Sequence, residues 1–308
     1  MGGMRMFGCF DVVSPVSARV AVVILLVGLV ATSANAQMVH PGGWHTQADL
    51  TLIRNKVAAG EEPWITGWNA AENEGPDANF LSTPTTLIDN DGAMHRAGFA
   101  AWVLTMKWVA SGDRSYAVAA TRIIDRWVNT VEDFDVFAPT LTVSTGAGAM
   151  AQAAEILAHG FDGEARWVPE NVAAARIWFK NLIYDAQTNT GLLSSSNFGT
   201  SALGGNMSMA IFMDDEVEYN YQRQAYITGY NLDDGCNSLT DYIPFATGQA
   251  FETGRDQAHV QGGIAHLTEA ALCLWNQGDQ FVYLSDKAPA LRFNGKVGAF
   301  QIERRRHL

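Results

Sequence analysis

Long apolar segments alternate with amphipathic segments along this chain, and the alternation is the first guide to its fold. One type is apolar on nearly every side, as in "AGFAAWVLTMKWVA" (97–110). A helix of that composition is buried over most of its surface. The other type carries charged side chains on one side, as in "RSYAVAATRIIDRWVN" (114–129). The pattern therefore predicts buried helices that alternate with half-exposed ones.

The buried segments recur at a nearly regular spacing. They begin near residues 97, 146, 203 and 257, and a period of about fifty residues fits helical hairpins that stack side by side. Each hairpin would then contribute one inner and one outer helix. We predict an all-α fold, an α/α toroid formed as an incomplete barrel of helical hairpins, with an open solenoid as the alternative. The stretch "TLTVST" (140–145) is predicted to be a short strand or a loop.

The first predicted helix has a clear beginning and end. Thr46 is a good N-cap, and Asp49 follows three residues later, as in a capping box. Apolar residues then recur at helical spacing from Leu50 to Val57, and Gly60 ends the helix.

The N-terminal residues have the features of an export signal. The apolar run "VAVVILLVGLV" (20–30) follows Arg5 and Arg19, and Ala34-Asn35-Ala36 fits the small-x-small rule for signal peptidase. We therefore predict cleavage after Ala36 and a secreted protein, either extracellular or periplasmic. The alternative is an uncleaved anchor, but the run is short for a membrane span. No membrane association is expected once residues 1–36 are removed.

Composition and charge narrow the possible partners. The 308 residues are 48% hydrophobic and carry a formal net charge of −12, which excludes a general nucleic-acid binder. If the ligand is a polyanion, the attraction must come from a local site, because the surface as a whole is negatively charged. No CxxC or HExxH motif occurs, so we predict no metal and no cofactor. Cys236 and Cys273 lie beyond the signal and are either paired or free. We expect a monomer.

In a toroid the inner helices run in the same direction, so their N-termini share one face. That face collects unpaired N–H groups and the positive ends of the helix dipoles, which favour carboxylates. Four polar segments precede the predicted inner helices: "DNDGAMH" (89–95), "LTVST" (141–145), "SSSNFGTS" (194–201) and "GRDQAH" (254–259). The sequence thus predicts a polar site on this face.

Four segments of the chain resemble the alginate lyase superfamily of polysaccharide lyases, and they are most similar to polysaccharide lyase family 38. They are "HPGGWHTQADLTLIRNKVAAGEEPWITGW", "SNFGTSALGGNMSMAIFMDD", "NSLTDYI" and "GRDQAHVQGGIAHLTEAALCLWNQGD". The resemblance runs from about residue 40 to 279. It implies an α/α toroid and cleavage of uronic-acid polymers, alginate or glucuronan, by β-elimination.

The chain departs from this resemblance after Asp279. We expect residues 37–279 to form the toroid domain and the atypical tail 280–308 to lie outside the fold. The resemblance implies further helices and a rim segment with a catalytic Tyr, so the expectation is a truncated toroid with little or no activity. An inactive carbohydrate-binding remnant is one alternative function.

β-Elimination needs a group that neutralises the uronate carboxylate, a base for the C5 proton and an acid for O4. We assign carboxylate recognition to Asn197, for which a helix cap is the alternative role. His259 can neutralise the carboxylate or act as the base. Arg255 either binds the substrate carboxylate or forms an ion pair with Asp256. Asp256 in turn orients His259 or Arg255, or caps the helix. Tyr242 is either the acid or a buried core residue.

Weaker candidates complete the predicted site. Gln257, Asn90 and His95 are expected to line the cleft and bind substrate. Two roles are considered for Trp44, Trp64 and Trp68, which are stacking on sugar rings and packing in the core. The other alternative function is a glycoside hydrolase, which needs two carboxylates flanking the bond; its candidates are Asp89, Asp91 and Asp256.

Overall fold

The computed structural model describes residues 38–89, 91–134, 139–183, 196–229, 238–243 and 248–279. The predicted signal, the tail after Asp279, Asn90 and Cys236 therefore lie outside the described residues. Within the described part of the chain, no helix is both long enough and apolar enough to cross a membrane.

The described residues are mostly helical and almost free of strands, which confirms the predicted all-α class. The helices are α1 (Gln47–Ala58), α2 (Trp64–Glu74), α3 (Asp91–Ser111), α4 (Arg114–Thr130), α5 (Pro139–His159), α6 (Pro169–Trp178), α7 (Ser196–Met213), α8 (Glu216–Thr228), the single turn α9 (Leu239–Tyr242) and α10 (Gln257–Asn276). A 3₁₀ turn at Gly160–Gly163 follows α5, and a π-helical turn at Phe179–Ile183 follows α6. The two-residue strands β1 (Leu87–Ile88) and β2 (Asp133–Phe134) pair in parallel.

Helices α3, α5, α7 and α10 pack side by side in that order and form the inner layer, while α4, α6 and α8 pack behind them. Side-chain contacts join equivalent levels of neighbouring inner helices: His95 with Thr145, Ser144 with Ser201, and Ser208 with Cys273. Contacts at matching levels require the inner helices to run in the same direction. Their N-termini therefore share one end of the layer, called the rim below, and their C-termini form the opposite end, the base.

Glycines allow the inner helices to approach closely. A Cβ at Gly98 of α3 would overlap the carbonyl oxygen of Gly146 in α5, and a Cβ at Gly205 of α7 would press against the backbone of Ser144. Helix backbones in such close contact leave no room for any larger side chain at these positions. The small, apolar composition of the inner segments follows from this packing.

Helix α7 joins the two hydrophobic clusters of the domain. Met209 and Phe212 pack into a cluster formed mainly by α3 to α6. Leu203 and Met207 belong to a second cluster that includes residues of α8 and α10. Every residue from Gly199 to Phe212 is buried, which explains why this segment is apolar on all sides.

The segment 38–46 closes the base. The Gln277 side chain accepts from the backbone N–H of Val39 and donates to the carbonyl oxygen of the same residue. The Asn276 side chain donates to the carbonyl of Gly43 at 2.6 Å. The backbone N–H of Trp44 donates to Gln152 Oε1 at 2.7 Å. The opening stretch "HPGGW" therefore ties the chain's start to the C-terminal ends of α5 and α10.

One local prediction is confirmed, and two are wrong. The capping box of Thr46 and Asp49 at α1 is present, with both reciprocal bonds made. In contrast, "TLTVST" is neither strand nor loop but lies in α5, and α3, α5 and α7 each begin about two turns before their predicted starts. Tertiary packing overrides the weak helix propensity of Thr and Val here, and the polar residues fill the first turns of the helices rather than loops.

Candidate active site

A buried carboxylate, Glu252, is the centre of a polar cluster at the rim. Its Oε2 accepts hydrogen bonds from the backbone N–H of Asn197 at 3.0 Å and from the Tyr242 hydroxyl at 3.1 Å. Its Oε1 accepts from Nη1 of Arg255 at 3.1 Å. Glu252 is only 5% exposed. One carboxylate thus brings together three of the four residues that the sequence predicted to be catalytic.

The fourth residue, His259, forms a pair with Asp256 at the first turn of α10. Asp256 is the N-cap of this helix, and its Oδ1 accepts from the backbone N–H of His259 at 3.0 Å. Its Oδ2 lies 2.6 Å from Nδ1 of the same histidine. The backbone N–H of His259, and then its ring, hold the pKa of the Asp256 carboxyl below its usual value. With Nδ1–H bonded to Asp256, a neutral His259 carries its free lone pair on Nε2.

Tyr242 lies beneath this surface rather than on it. Its side chain is fully buried, and its hydroxyl is 3.1 Å from Glu252 and 3.2 Å from the carbonyl oxygen of His259. Burial, together with the nearby Glu252 charge, raises the pKa of Tyr242 far above its usual value. The hydroxyl is therefore protonated near neutral pH and points towards Glu252.

Asn197 stands at the start of α7 and is 6% exposed. The residue before it, Ser196, has a φ of +67°, a left-handed conformation that costs energy for a residue with a side chain. The Asn197 backbone N–H donates to Glu252, and the side-chain Oδ1 accepts from the Ser196 hydroxyl at 3.4 Å, so the amide NH2 group is the part of this side chain that can donate to a ligand. The structure thus places a polar amide at a helix N-terminus beside Arg255.

Arg255 does not carry a free positive charge. Its guanidinium pairs with Glu252 and also lies 4.0 Å from Asp256. The sequence left an ion pair and carboxylate binding as alternatives, and the pairing with Glu252 is the stronger contact. About half of the Arg255 side chain remains exposed at the rim.

The remaining predicted residues are spread along the rim. His95 lies on α3, two helices from Asn197, with Nδ1 3.1 Å from Thr145 Oγ1. Burial and the neighbouring Arg96 lower the pKa of His95. Gln257 is exposed in the first turn of α10. Asn90 lies outside the described residues, so its predicted role stays a prediction.

The hydrolase candidates are separated in the fold. Asp89 lines a cavity of about 350 Å³ between the first turns of α3 and the segment 80–89, together with Arg96 and Trp127. Asp256 is bound to His259 on α10. The side chain of Asp91 lies outside the described residues. Within the described residues, no hydrogen bond or ion pair links Asp89 to Asp256.

Two further groups belong to the packing of the domain. Trp44 lies at the base, edge-on to Trp102 with ring centroids 5.0 Å apart, away from the rim. Cys273 is a free, fully buried thiol whose pKa burial raises to about 12. Neither group faces the rim cluster.

Glu252 is the residue that the sequence analysis missed. It precedes Arg255 by three residues in "FETGRDQAH" (251–259), a spacing that allows an acid and a base to pair. The polar segment predicted to precede the inner helix begins at Gly254, two residues after Glu252, and therefore does not include this acidic residue.

Comparisons with known proteins agree with this architecture. The family model described as Alginate lyase matches residues 63–283. Alginate lyase A1-III from Sphingomonas species A1 superposes with a TM-score of 0.60 at 14% identity, over 88% of this chain and 82% of that one. A histidine-to-alanine variant of alginate lyase A1-III, complexed with a tetrasaccharide, gives 0.57 at 14% identity, over 88% and 81%. No curated protein sequence matches the chain.

Fold and family together define the class of this protein, which is a polysaccharide lyase on an α/α toroid. The family match covers well over half of the chain. The chain therefore belongs to the alginate lyase family, as its resemblance to that superfamily implied.

Proposed function

We propose that this protein is exported and cleaves a uronic-acid polymer, alginate or glucuronan, by β-elimination at the rim cluster. The observation that carries the proposal is the Asp256–His259 pair at 2.6 Å, which lies in the same cluster as Asn197 and Arg255. The tetrasaccharide complex of a related fold supports an oligosaccharide as the ligand. Export is supported by the apolar run at 20–30 and by the cleavage pattern at Ala34–Ala36.

The first task of the site is to stabilise the substrate carboxylate as it gains enolate character. The side-chain amide of Asn197 and the exposed guanidinium nitrogens of Arg255 donate hydrogen bonds to it. The first turns of α7 and α10 add their positive dipole ends at the same place. The attraction for an anionic polymer therefore rests on these directed donors and helix dipoles, because the chain has a net charge of −12 and the Arg255 guanidinium is already paired with Glu252.

The second task is proton transfer, which we assign to His259. Its Nε2 takes the C5 proton, and the Asp256 carboxylate stabilises the imidazolium that forms, as in other carboxylate–histidine pairs. The electrons of the C5–H bond form the C4–C5 double bond while the C4–O4 bond breaks. The imidazolium then returns a proton to the departing O4. Tyr242 and Glu252 act as positioning residues beneath Asn197 and Arg255. Because these steps use no residue after His259, we propose activity for this chain although the resemblance implied a further catalytic Tyr.

The chemical class of the product tests this proposal. The purified chain is incubated with polymannuronate, polyguluronate and glucuronan, and both ultraviolet absorbance and new reducing ends are measured. A lyase produces an unsaturated uronate, so the two signals rise together. Reducing ends without absorbance would identify a hydrolase, and neither signal on any polymer would identify a carbohydrate-binding remnant. Both results would refute the proposal.

A further inference from the structure

A second cluster of ionisable groups lies at the base, at the opposite end of the inner layer from the rim. It joins His40 of the segment 38–46 with Glu155 and His159 of α5. Nδ1 of His40 is 2.8 Å from Glu155 Oε1, and Nε2 of His159 is 3.8 Å from Glu155 Oε2. One ligand atom from each residue lies within 4.8 Å of the other two.

We propose that His40, Glu155 and His159 bind a divalent transition-metal ion of the Zn²⁺ type. Two imidazole nitrogens and one carboxylate oxygen form a ligand set that suits zinc and leaves a fourth position for water. Tetrahedral bonds of 2.0–2.1 Å place ligand atoms about 3.3 Å apart. His40 Nδ1 lies 2.8 Å from Oε1 and His159 Nε2 lies 3.8 Å from Oε2, so the two nitrogens approach different oxygens of Glu155, and the side chains must turn to bring one oxygen and both nitrogens around a common centre.

The state of Glu155 is an independent reason for the proposal. Its side chain is 1% exposed, and its Oε2 is buried without a hydrogen-bond partner among the described residues. An unpaired buried carboxylate oxygen is costly, and a cation is the partner that would offset the cost most strongly. The other oxygen, Oε1, accepts from the backbone N–H of Gly42 at 3.2 Å, which fixes the orientation of the carboxylate.

The surroundings of His40 match those of a metal-bound histidine. Its second ring nitrogen, Nε2, lies 3.3 Å from Asp214 Oδ1, just beyond α7. Metal-binding histidines usually donate a hydrogen bond from their other ring N–H to a carboxylate, which fixes the ring orientation and makes the histidine a stronger ligand. The His40 ring stacks on that of His159, with centroids 4.2 Å apart and ring planes 20° apart, so one ring must turn for both lone pairs to point at the same ion.

A positive group, the guanidinium of Arg176, faces the cluster and lowers its affinity for a cation. Nη2 of Arg176, from α6, lies 3.3 Å from His159 Nε2 and occupies its lone pair when no metal is bound. A metal ion must displace this guanidinium and overcome its charge. The residue therefore weakens the site, and its removal should tighten metal binding.

The position of the cluster indicates a structural ion rather than a catalytic one. His159 is the last residue of α5, about 21 Å along the helix from Thr145 at the rim, at 1.5 Å per residue. The ion would fasten the segment 38–46 to the C-terminal end of α5. We therefore expect metal binding to change thermal stability and to leave turnover unchanged below the melting transition.

Zinc titration of the chelator-treated full chain tests the proposal by calorimetry and thermal melting. We expect one equivalent to bind, and a hundredfold excess over the dissociation constant should raise the melting temperature by about 5–10 °C. Cobalt(II) in place of zinc should give the visible absorption of a four-coordinate site. Arg176→Leu should bind zinc more tightly than the wild type does.

Ligand variants and one matched control decide the assignment. Glu155→Gln, which keeps the side-chain shape, and His159→Ala should each weaken zinc binding at least tenfold. His266→Ala is the control, because His266 pairs with Glu269 at 3.4 Å on α10 and no third ligand joins them among the described residues. The proposal is overturned if neither the wild type nor Arg176→Leu binds zinc, or if Glu155→Gln and His159→Ala bind it as tightly as the wild type does.

Discussion

The carboxylate of Asp256 holds both the backbone N–H and the ring Nδ1 of His259, at 3.0 and 2.6 Å. One side chain thus caps α10 and fixes the orientation of the proposed base. These two roles can be separated, because a neutral amide caps a helix about as well as a carboxylate does but cannot stabilise an imidazolium. The first prediction uses this difference.

Asp256→Asn should lower turnover about a hundredfold or more, the scale for a disabled general base, while the melting temperature stays near that of the wild type. Asp256→Ala should lose the cap as well and melt at a lower temperature. The matched control is Asp113→Ala, which removes the equivalent cap of α4, where Asp113 accepts from Ser115 N–H at 2.9 Å. Asp113→Ala should lower the melting temperature while turnover per folded molecule is unchanged. Normal turnover in Asp256→Asn would reduce Asp256 to a helix cap.

The stabilisation by Asp256 should depend on pH in one direction. Its pKa is lower in the folded state, so the folded protein favours the charged form. The contribution is therefore complete above the ordinary Asp pKa of about 3.9 and is lost as the pH falls through the lower, folded value. The difference in melting temperature between the wild type and Asp256→Ala, measured from pH 7 downwards, should be constant at first and then shrink in acid. A difference that grows in acid would contradict the assignment.

A comparison of two buried tyrosines, Tyr242 and Tyr226, tests the hydrogen bond between Tyr242 and Glu252. The Tyr242 hydroxyl donates to the buried Glu252 carboxylate, whereas the buried Tyr226 hydroxyl has no hydrogen-bond partner among the described residues. Tyr242→Phe should destabilise the fold by about 1.5–3 kcal/mol, the value for a hydrogen bond to a charged group. Tyr226→Phe should be neutral or slightly stabilising, because it removes an unsatisfied polar atom. Urea unfolding of both variants measures the contrast, and equal effects would contradict it.

The close packing of the inner helices makes a prediction about two helical glycines. Gly98→Ala should destabilise the fold by about 3 kcal/mol or more, because the new methyl group would overlap the Gly146 carbonyl. Gly67→Ala, in α2, meets no atom within 4 Å and should stabilise the fold by about 0.5–1 kcal/mol through helix propensity. Denaturant unfolding gives both values. If Gly98→Ala were as stable as the wild type, the inner layer would be less tightly packed than described.

The sequence was sufficient to predict the alternation of inner and outer helices, because burial on all sides leaves a direct mark on composition. Helix α7 is the clearest example, since all its residues from Gly199 to Phe212 are buried. The starts of α3, α5 and α7 were missed because polar residues at a rim look like loop residues. Only packing shows that they occupy the first turns of helices.

The site was predictable where its residues are close in sequence and not where folding brings them together. Asp256 and His259 are three residues apart, a spacing that one helical turn joins. The contact between Glu252 and Asn197 spans 55 residues and depends on how α7 and α10 pack. The cluster at the base joins His40 to Glu155 across 115 residues, so only the Glu155–His159 spacing on α5 was visible in the sequence.

The most direct test of the central claim compares turnover with folding in His259→Ala and Asn197→Ala. Each variant is assayed for ultraviolet-absorbing product on the best polymer substrate, and its melting temperature is measured in the same buffer. The account predicts a loss of turnover of about a hundredfold or more in both variants, the scale for losing a general base or an oxyanion-type donor, with folding retained. Near-wild-type turnover in both folded variants would contradict it and would return the two residues to structural roles.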